Sequence, residues 1–171
     1  TSQAKDIYLK LYKNKNIKVI GNPISIQISN SKIFRENIVL SVGRLIESKH
    51  YDRLIKMFSE IDFKDWKLVV IGGDALKQKN LKKLKQLVLD LDMENKIEFT
   101  GTLSNPESYY LKSKIFAFTS SSEGFPNVIG EALSNGLPVI SYNCIAGPSD
   151  LINDTENGFL VDVFDDKNFK K

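Results

Sequence analysis

Short apolar runs alternate along this chain with segments of helical spacing, and that alternation constrains the fold more than any other feature. Ile38-Val39-Leu40-Ser41-Val42-Gly43, Lys67-Leu68-Val69-Val70-Ile71 and Ile97-Glu98-Phe99 are each short enough for a buried strand, as are Ile115-Phe116-Ala117-Phe118, Val139-Ile140 after Leu137, and Gly158-Phe159-Leu160-Val161. Between them lie apolar sets spaced for one helical face: Leu54, Ile55 and Phe58; Leu81, Leu84, Leu87, Val88 and Leu91; Val128, Ile129, Ala132 and Leu133. Asn105-Pro106-Glu107 opens a further helix with a capping side chain followed by proline, and residues 149–152 read as a short one. Strands that are apolar throughout and alternate with helices call for an α/β fold, a Rossmann-like parallel sheet with helices on both faces. Ligands of such sheets sit beyond the carboxyl ends of the strands. Gly43-Arg44, Gly72-Gly73, Gly101 and the loop from Ser120 to Glu123 all fall at that edge.

Ahead of the first of these strands, residues 1–16 read as a starting helix, Ile17-Lys18-Val19-Ile20 as a short strand and Gly21-Asn22-Pro23 as a turn. The chain opens Thr1-Ser2 without a methionine and stops in a charged run, so both ends read as cuts from something longer. Its 171 residues suit one domain with a real core. The 24 basic and 21 acidic residues nearly cancel, which gives no signal for nucleic acid. One cysteine, Cys144, excludes an intrachain disulfide and fits a reducing compartment; one cysteine and one histidine argue against a transition-metal site. No apolar run is long enough to cross a bilayer. The expected location is cytoplasmic.

The chemistry concentrates between Ser120 and Ile140. A small-polar loop leads through Glu123-Gly124-Phe125 to Pro126, a residue suited to a first helical turn because its missing N–H has no partner there. Gly136 and Pro138 end that helix. Free backbone amides at the helix start, with Glu123 and Glu131 beside them, can hold an anion and a polyol together.

Glu123 and Glu131, with seven residues between them, resemble the E-x7-E motif of retaining glycosyltransferases of the GT-B fold. The surrounding Glu-Gly-Phe-Pro-Asn, Glu-Ala-Leu-x-x-Gly-Leu-Pro-Val-Ile and Gly-Pro-Ser-Asp-Leu-Ile are similar to family 4 of those enzymes, and the likeness runs from Ile38 to Val161. The resemblance implies a donor-binding C-terminal domain filling residues 1–171, with residues 1–36 close to the hinge and the N-terminal partner domain absent. It implies a nucleotide-diphosphate sugar donor, most often UDP-linked, and no metal or other cofactor. The acceptor, a glycan or a lipid-linked sugar, would be held by the absent domain. A non-catalytic nucleotide-binding module and a GT-B sugar-nucleotide epimerase are the alternative readings.

Individual residues carry paired interpretations. Arg44 and Lys49, after Gly43, match the family's diphosphate-binding cations; otherwise they are a solvated loop pair. An arginine offers a planar donor fork that suits phosphate. His50 stands where the family usually has glycine. Glu123 matches the residue at the sugar, and Glu131 the ribose ligand, since a carboxylate can accept from both vicinal hydroxyls. Alternatively Glu131 only favours the helix dipole. Gly124, Phe125, Asn127 and Val128 would bring backbone to phosphate or sugar around Pro126. Gly73 belongs to a weak phosphate-loop signal, and Phe99, Gly101 and Leu103 to the family's base-binding loop. Gly130, in mid-helix, costs roughly 1 kcal/mol relative to alanine and points to a close approach or to simple tolerance. Cys144 has no basic partner and reads as a core residue rather than a nucleophile. Lys77, Lys79, Lys82, Lys83 and Lys85 form either a solvated face or a contact with anionic lipid at the cytoplasmic side of an inner membrane.

Overall fold

The computed structural model describes residues 1–12, 16–24, 34–62 and 64–171. Strands β1 (Ile38–Val42), β2 (Lys67–Ile71), β3 (Ile97–Gly101), β4 (Ile115–Phe118), β5 (Val139–Tyr142) and β6 (Gly158–Val161) form one sheet in the order β3-β2-β1-β4-β5-β6. Every pairing is parallel. Helices α2 (Tyr51–Ser59), α3 (Asn80–Asp90), α4 (Glu107–Lys112), α5 (Asn127–Ser134), α6 (Pro148–Leu151) and α7 (Asp166–Phe169) follow the successive strands, and α1 (Ser2–Leu11) precedes the sheet.

Both faces of the sheet are buried, and the pleat sorts the side chains between them. Along β2, Leu68 and Val70 enter the cluster under α2 and α3, while Val69 and Ile71 enter the opposite one with Ile129 and Ala132 of α5. Strands buried on both sides must be apolar at every position, which is why these runs show no alternation. The strand order reverses between β1 and β4, so α2 and α5, which follow these strands, pack on opposite faces of the sheet and leave a crevice at the carboxyl edge.

Arg35 fastens two of the helices. Its guanidinium donates to the carbonyls of Tyr110 (3.0 Å), Leu111 (3.1 Å) and Ser113 (2.6 Å) at the end of α4, and to those of Asn135 (2.7 Å) and Gly136 (3.2 Å) at the end of α5. One planar cation thus satisfies the orphan carbonyls of two helix C-termini. The α1 helix docks on the loop before α6: the Ser2 N–H donates to Asp150 (Oδ2, 3.1 Å) and the Ala146 N–H to Gln3 (Oε1, 2.7 Å).

The expected strand at Ile17–Ile20 does not form, nor does the turn at Gly21–Pro23: residues 16–24 have no regular secondary structure. Val19 and Ile20 are exposed, and among the described residues no strand pairs with them. The segment is anchored further on instead. The Asn22 amide donates to Asn127 Oδ1 (2.9 Å), and Ile24 lies over Gly130, where an added Cβ would come within 1.9 Å of its Cδ1. A close approach therefore explains the mid-helix glycine, and the approaching group is a side chain. At α4 the helix begins at Glu107, so Pro106 rather than Asn105 stands at the N-cap; Asn105, one residue earlier, still accepts from the Glu107 N–H through Oδ1 at 3.0 Å.

Candidate functional site

The loops after β1, β2 and β3 are packed edge to edge, and glycine is what lets them meet. The Gly43 N–H donates to the Ile71 carbonyl and the Leu45 N–H to that of Gly73, both at 2.9 Å, while the Gly72 N–H donates to Gly101 O. A Cβ on Gly72 would stand 1.8 Å from the Gly43 carbonyl oxygen, in a backbone conformation (φ 153°) that side chains rarely adopt. Gly73 faces Thr102 in a similar way. Gly101 adopts a left-handed conformation (φ 74°) with open space around it.

Across the crevice the β1 and β4 loops are laced together. The Ser121 N–H donates to the Ser48 carbonyl (2.9 Å), the Thr119 hydroxyl to the Lys49 carbonyl (2.8 Å) and the Ser120 hydroxyl to Ser48 O (3.2 Å). These bonds bring Lys49 onto Glu123, Nζ to Oε1 at 2.5 Å, with each side chain 13% exposed. Lys49 also lies 4.9 Å from the centre of the Phe118 ring. Two charges this sheltered need each other's compensation. Arg44, by contrast, is exposed and forms no ion pair among the described residues.

His50 takes a left-handed conformation (φ 48°, ψ 43°), the geometry for which glycine is the natural occupant. The histidine is held there by Ser121, whose Oγ lies 2.8 Å from Nε2, and by the edge-on ring of Phe164 at 4.9 Å. A residue with a side chain thus occupies a backbone conformation that glycine adopts more readily. Burial lowers the His50 pKa below its ordinary value, while Asp52 and Asp166 pull it up and Arg53 lowers it further.

At the head of α5 the N–H groups of Gly124 and Phe125 have no acceptor among the described residues, whereas that of Asn127 donates to Phe125 O at 3.0 Å. The expected row of free amides is shorter by one, because the chain turns tightly at Pro126 before the helix begins. Pro126 itself rests against Gly147, where a Cβ would come within 2.2 Å of the proline ring. Val128 and Leu103 pack partly into the core under α5, and Phe99 into the one under α3.

Glu131 is not simply an exposed helical acid. The Tyr110 hydroxyl donates to its Oε2 at 2.8 Å, and the pair lines a pocket of about 200 Å³ with Asn105, Pro106 and Glu107. Burial, and then the adjacent carboxylate, push the Tyr110 pKa far above the ordinary phenol range. Sequence reasoning missed Tyr110. The available signal was a large phenol on a short amphipathic helix, since a buried tyrosine hydroxyl has to find an acceptor. Cys144 is buried and its thiol is pushed up to about 11, first by burial and then by Glu123, as expected of an inert core thiol. The lysines at 77, 79, 82, 83 and 85 are exposed and unpaired among the described residues. Among those residues no helix is long and apolar enough to cross a membrane.

The profile of the family described as glycosyl transferases group 1 aligns with residues 25–171. The chain belongs to that family. An uncharacterized glycosyltransferase of Haemophilus influenzae is 33% identical over 165 residues, 95% of this chain and 46% of its own length. N-acetylgalactosamine-N,N'-diacetylbacillosaminyl-diphospho-undecaprenol 4-alpha-N-acetylgalactosaminyltransferase of Campylobacter jejuni is 33% identical over 87% of this chain and 41% of its own length. The group 1 chain thus spans less than half the length of these relatives. Among solved structures, Anabaena HepE in complex with UDP-glucose superposes with a TM-score of 0.73 at 25% identity, over 79% of this chain and 37% of HepE. The Rossmann-like sheet is therefore the fold of one half of a GT-B glycosyltransferase.

Proposed function

We propose that this chain is the donor-binding half of a retaining glycosyltransferase, taking a sugar from a UDP-linked donor and passing it to a glycan or lipid-linked acceptor. The observation that carries this reading is the Lys49–Glu123 pair at the sheet's switch point, beside the unbonded amides of Gly124 and Phe125. A cation and two N–H groups face an anion there, and a carboxylate faces the sugar next to it. HepE with UDP-glucose and the undecaprenol-linked substrate in the name of the Campylobacter relative support the same donor and acceptor classes. The exposed lysines around α3 would meet anionic lipid in that setting.

On this reading the bond between the anomeric carbon and the diphosphate oxygen breaks, and its electron pair stays on the diphosphate. Arg44, Lys49 and the α5 amides stabilise that developing charge, so no metal is required. The acceptor oxygen bonds to the anomeric carbon on the face the diphosphate leaves. The acceptor's proton goes to a group outside this half. Arg44→Ala and Lys49→Ala should each weaken UDP binding by about 1.5–3 kcal/mol, the scale of hydrogen bonds to charged groups. Uridine, lacking phosphates, should bind wild type and variants alike, and EDTA should leave UDP affinity unchanged. Calorimetry checks all three. Equal losses for uridine and UDP would reassign both cations to folding, and binding that collapses on chelation would overturn the metal-free site.

A further inference from the structure

Tyr110 has no part in the proposal above, yet it is tied to Glu131, which the family resemblance matches to the donor's ribose ligand. Its side chain is 2% exposed, and its hydroxyl donates to Glu131 Oε2 at 2.8 Å. The other carboxylate oxygen, Oε1, has no hydrogen-bond partner among the described residues. Three features keep the phenol where it is. Its ring packs on Phe116 with centroids 5.8 Å apart, its own carbonyl accepts from Arg35, and that guanidinium also grips the end of α5, the helix carrying Glu131. Both residues open onto the pocket between α4 and α5.

A free glutamate samples many rotamers, and a diol is gripped by two acceptor oxygens only when the carboxylate plane is set in advance. The buried phenol supplies that setting. Burial and the adjacent carboxylate raise its pKa, which favours the protonated, donating form. An oxygen has two lone pairs, so Oε2 can accept from Tyr110 and from a ligand hydroxyl at once, with Oε1 taking the second hydroxyl.

We propose that Tyr110 is a positioning residue for the donor's ribose, holding the Glu131 carboxylate turned toward the vicinal 2′- and 3′-hydroxyls. This rests on the reading of Glu131 as the ribose ligand, and the test separates the two ideas. Calorimetry would compare UDP with 2′,3′-dideoxy-UDP on wild type, Tyr110→Phe, Glu131→Gln and the double variant. Phenylalanine keeps the ring and its contact with Phe116 and removes only the donor. Tyr110→Phe should weaken UDP about three- to tenfold and dideoxy-UDP hardly at all, and it should cost nothing further in the Glu131→Gln background. Partial unfolding weakens or removes binding of both nucleotides alike, so misfolding cannot imitate a loss confined to UDP. Equal losses for the two nucleotides, or no loss for either, would reduce Tyr110 to a packing residue while leaving Glu131 in place. If Glu131→Gln itself fails to distinguish the nucleotides, the ribose assignment falls and takes the Tyr110 proposal with it.

Discussion

At the scale of single residues, the site depends on positions where the side chain and the backbone make opposite demands. His50 occupies a left-handed conformation that costs a side-chain-bearing residue roughly 1–2 kcal/mol, offset by its contacts with Ser121 and Phe164. Its pKa is lowered on folding, chiefly by burial. As pH falls below about 6.5, the ordinary value, the unfolded chain takes up a proton that the folded chain refuses. Stability should therefore decline through that window and level off below the folded pKa. Asparagine tolerates the same backbone and does not titrate, so His50→Asn should flatten this part of the pH profile. Urea unfolding of both proteins at pH 7.5 and pH 5.5 measures the difference; equal pH sensitivity would show that His50 does not contribute. What sequence made readable here was identity and spacing. Glu123, Lys49 and Glu131 could be singled out, but not their partners. The phenol of Tyr110 and the shared loop between Ser48 and Ser121 arise from contacts across more than twenty or seventy positions, and no local pattern records them.

At the scale of elements, the strands and helices were legible because each depends on its own apolar period. All six sheet strands lie where the runs put them; β3 extends further by Thr100 and Gly101 and β5 by Ser141 and Tyr142, while β1 ends one residue earlier, at Val42. The failure at Ile17–Ile20 has a plain cause: β-propensity describes a half-buried, paired surface, and among the described residues no strand pairs with this segment. The Arg35 fastening was also unreadable, since its targets lie 75 to 101 positions away. It carries a strong expectation. Arg35→Ala strands the carbonyls of two helix ends and should cost about 3 kcal/mol of stability, the scale of losing charged hydrogen bonds. Arg35→Lys should recover only part of this, because an ammonium has no planar fork to span both helices. Thermal melts of the three proteins decide the order; a lysine variant as stable as wild type would mean that charge alone suffices.

At the scale of the whole molecule, the strand order was beyond reach of local patterns, because it depends on which distant runs meet. Alternation implied a parallel sheet, yet only the assembled order β3-β2-β1-β4-β5-β6 locates the reversal and hence the crevice. The candidate residues Arg44, Lys49 and Glu123 all lie at the carboxyl edge of this one sheet. Transfer needs the acceptor aligned from the other side. This chain alone should bind UDP and show no sugar transfer in a radiolabelled-donor assay, and robust turnover by residues 1–171 would contradict the half-enzyme reading. The resting ion pair has a further consequence, one of kinetics. Lys49 is neutralised by Glu123 at 2.5 Å and projects little field into solvent, while Arg44 stands exposed and uncompensated. On the donor-binding proposal, an arriving diphosphate would feel Arg44 and the exposed lysines around α3 at long range, an attraction weakened by salt. Lys49 would engage it only at short range, once the anion has displaced or joined the Glu123 carboxylate. Capture and retention would then be divided, with Arg44→Ala expected to slow association and Lys49→Ala to shorten the residence time.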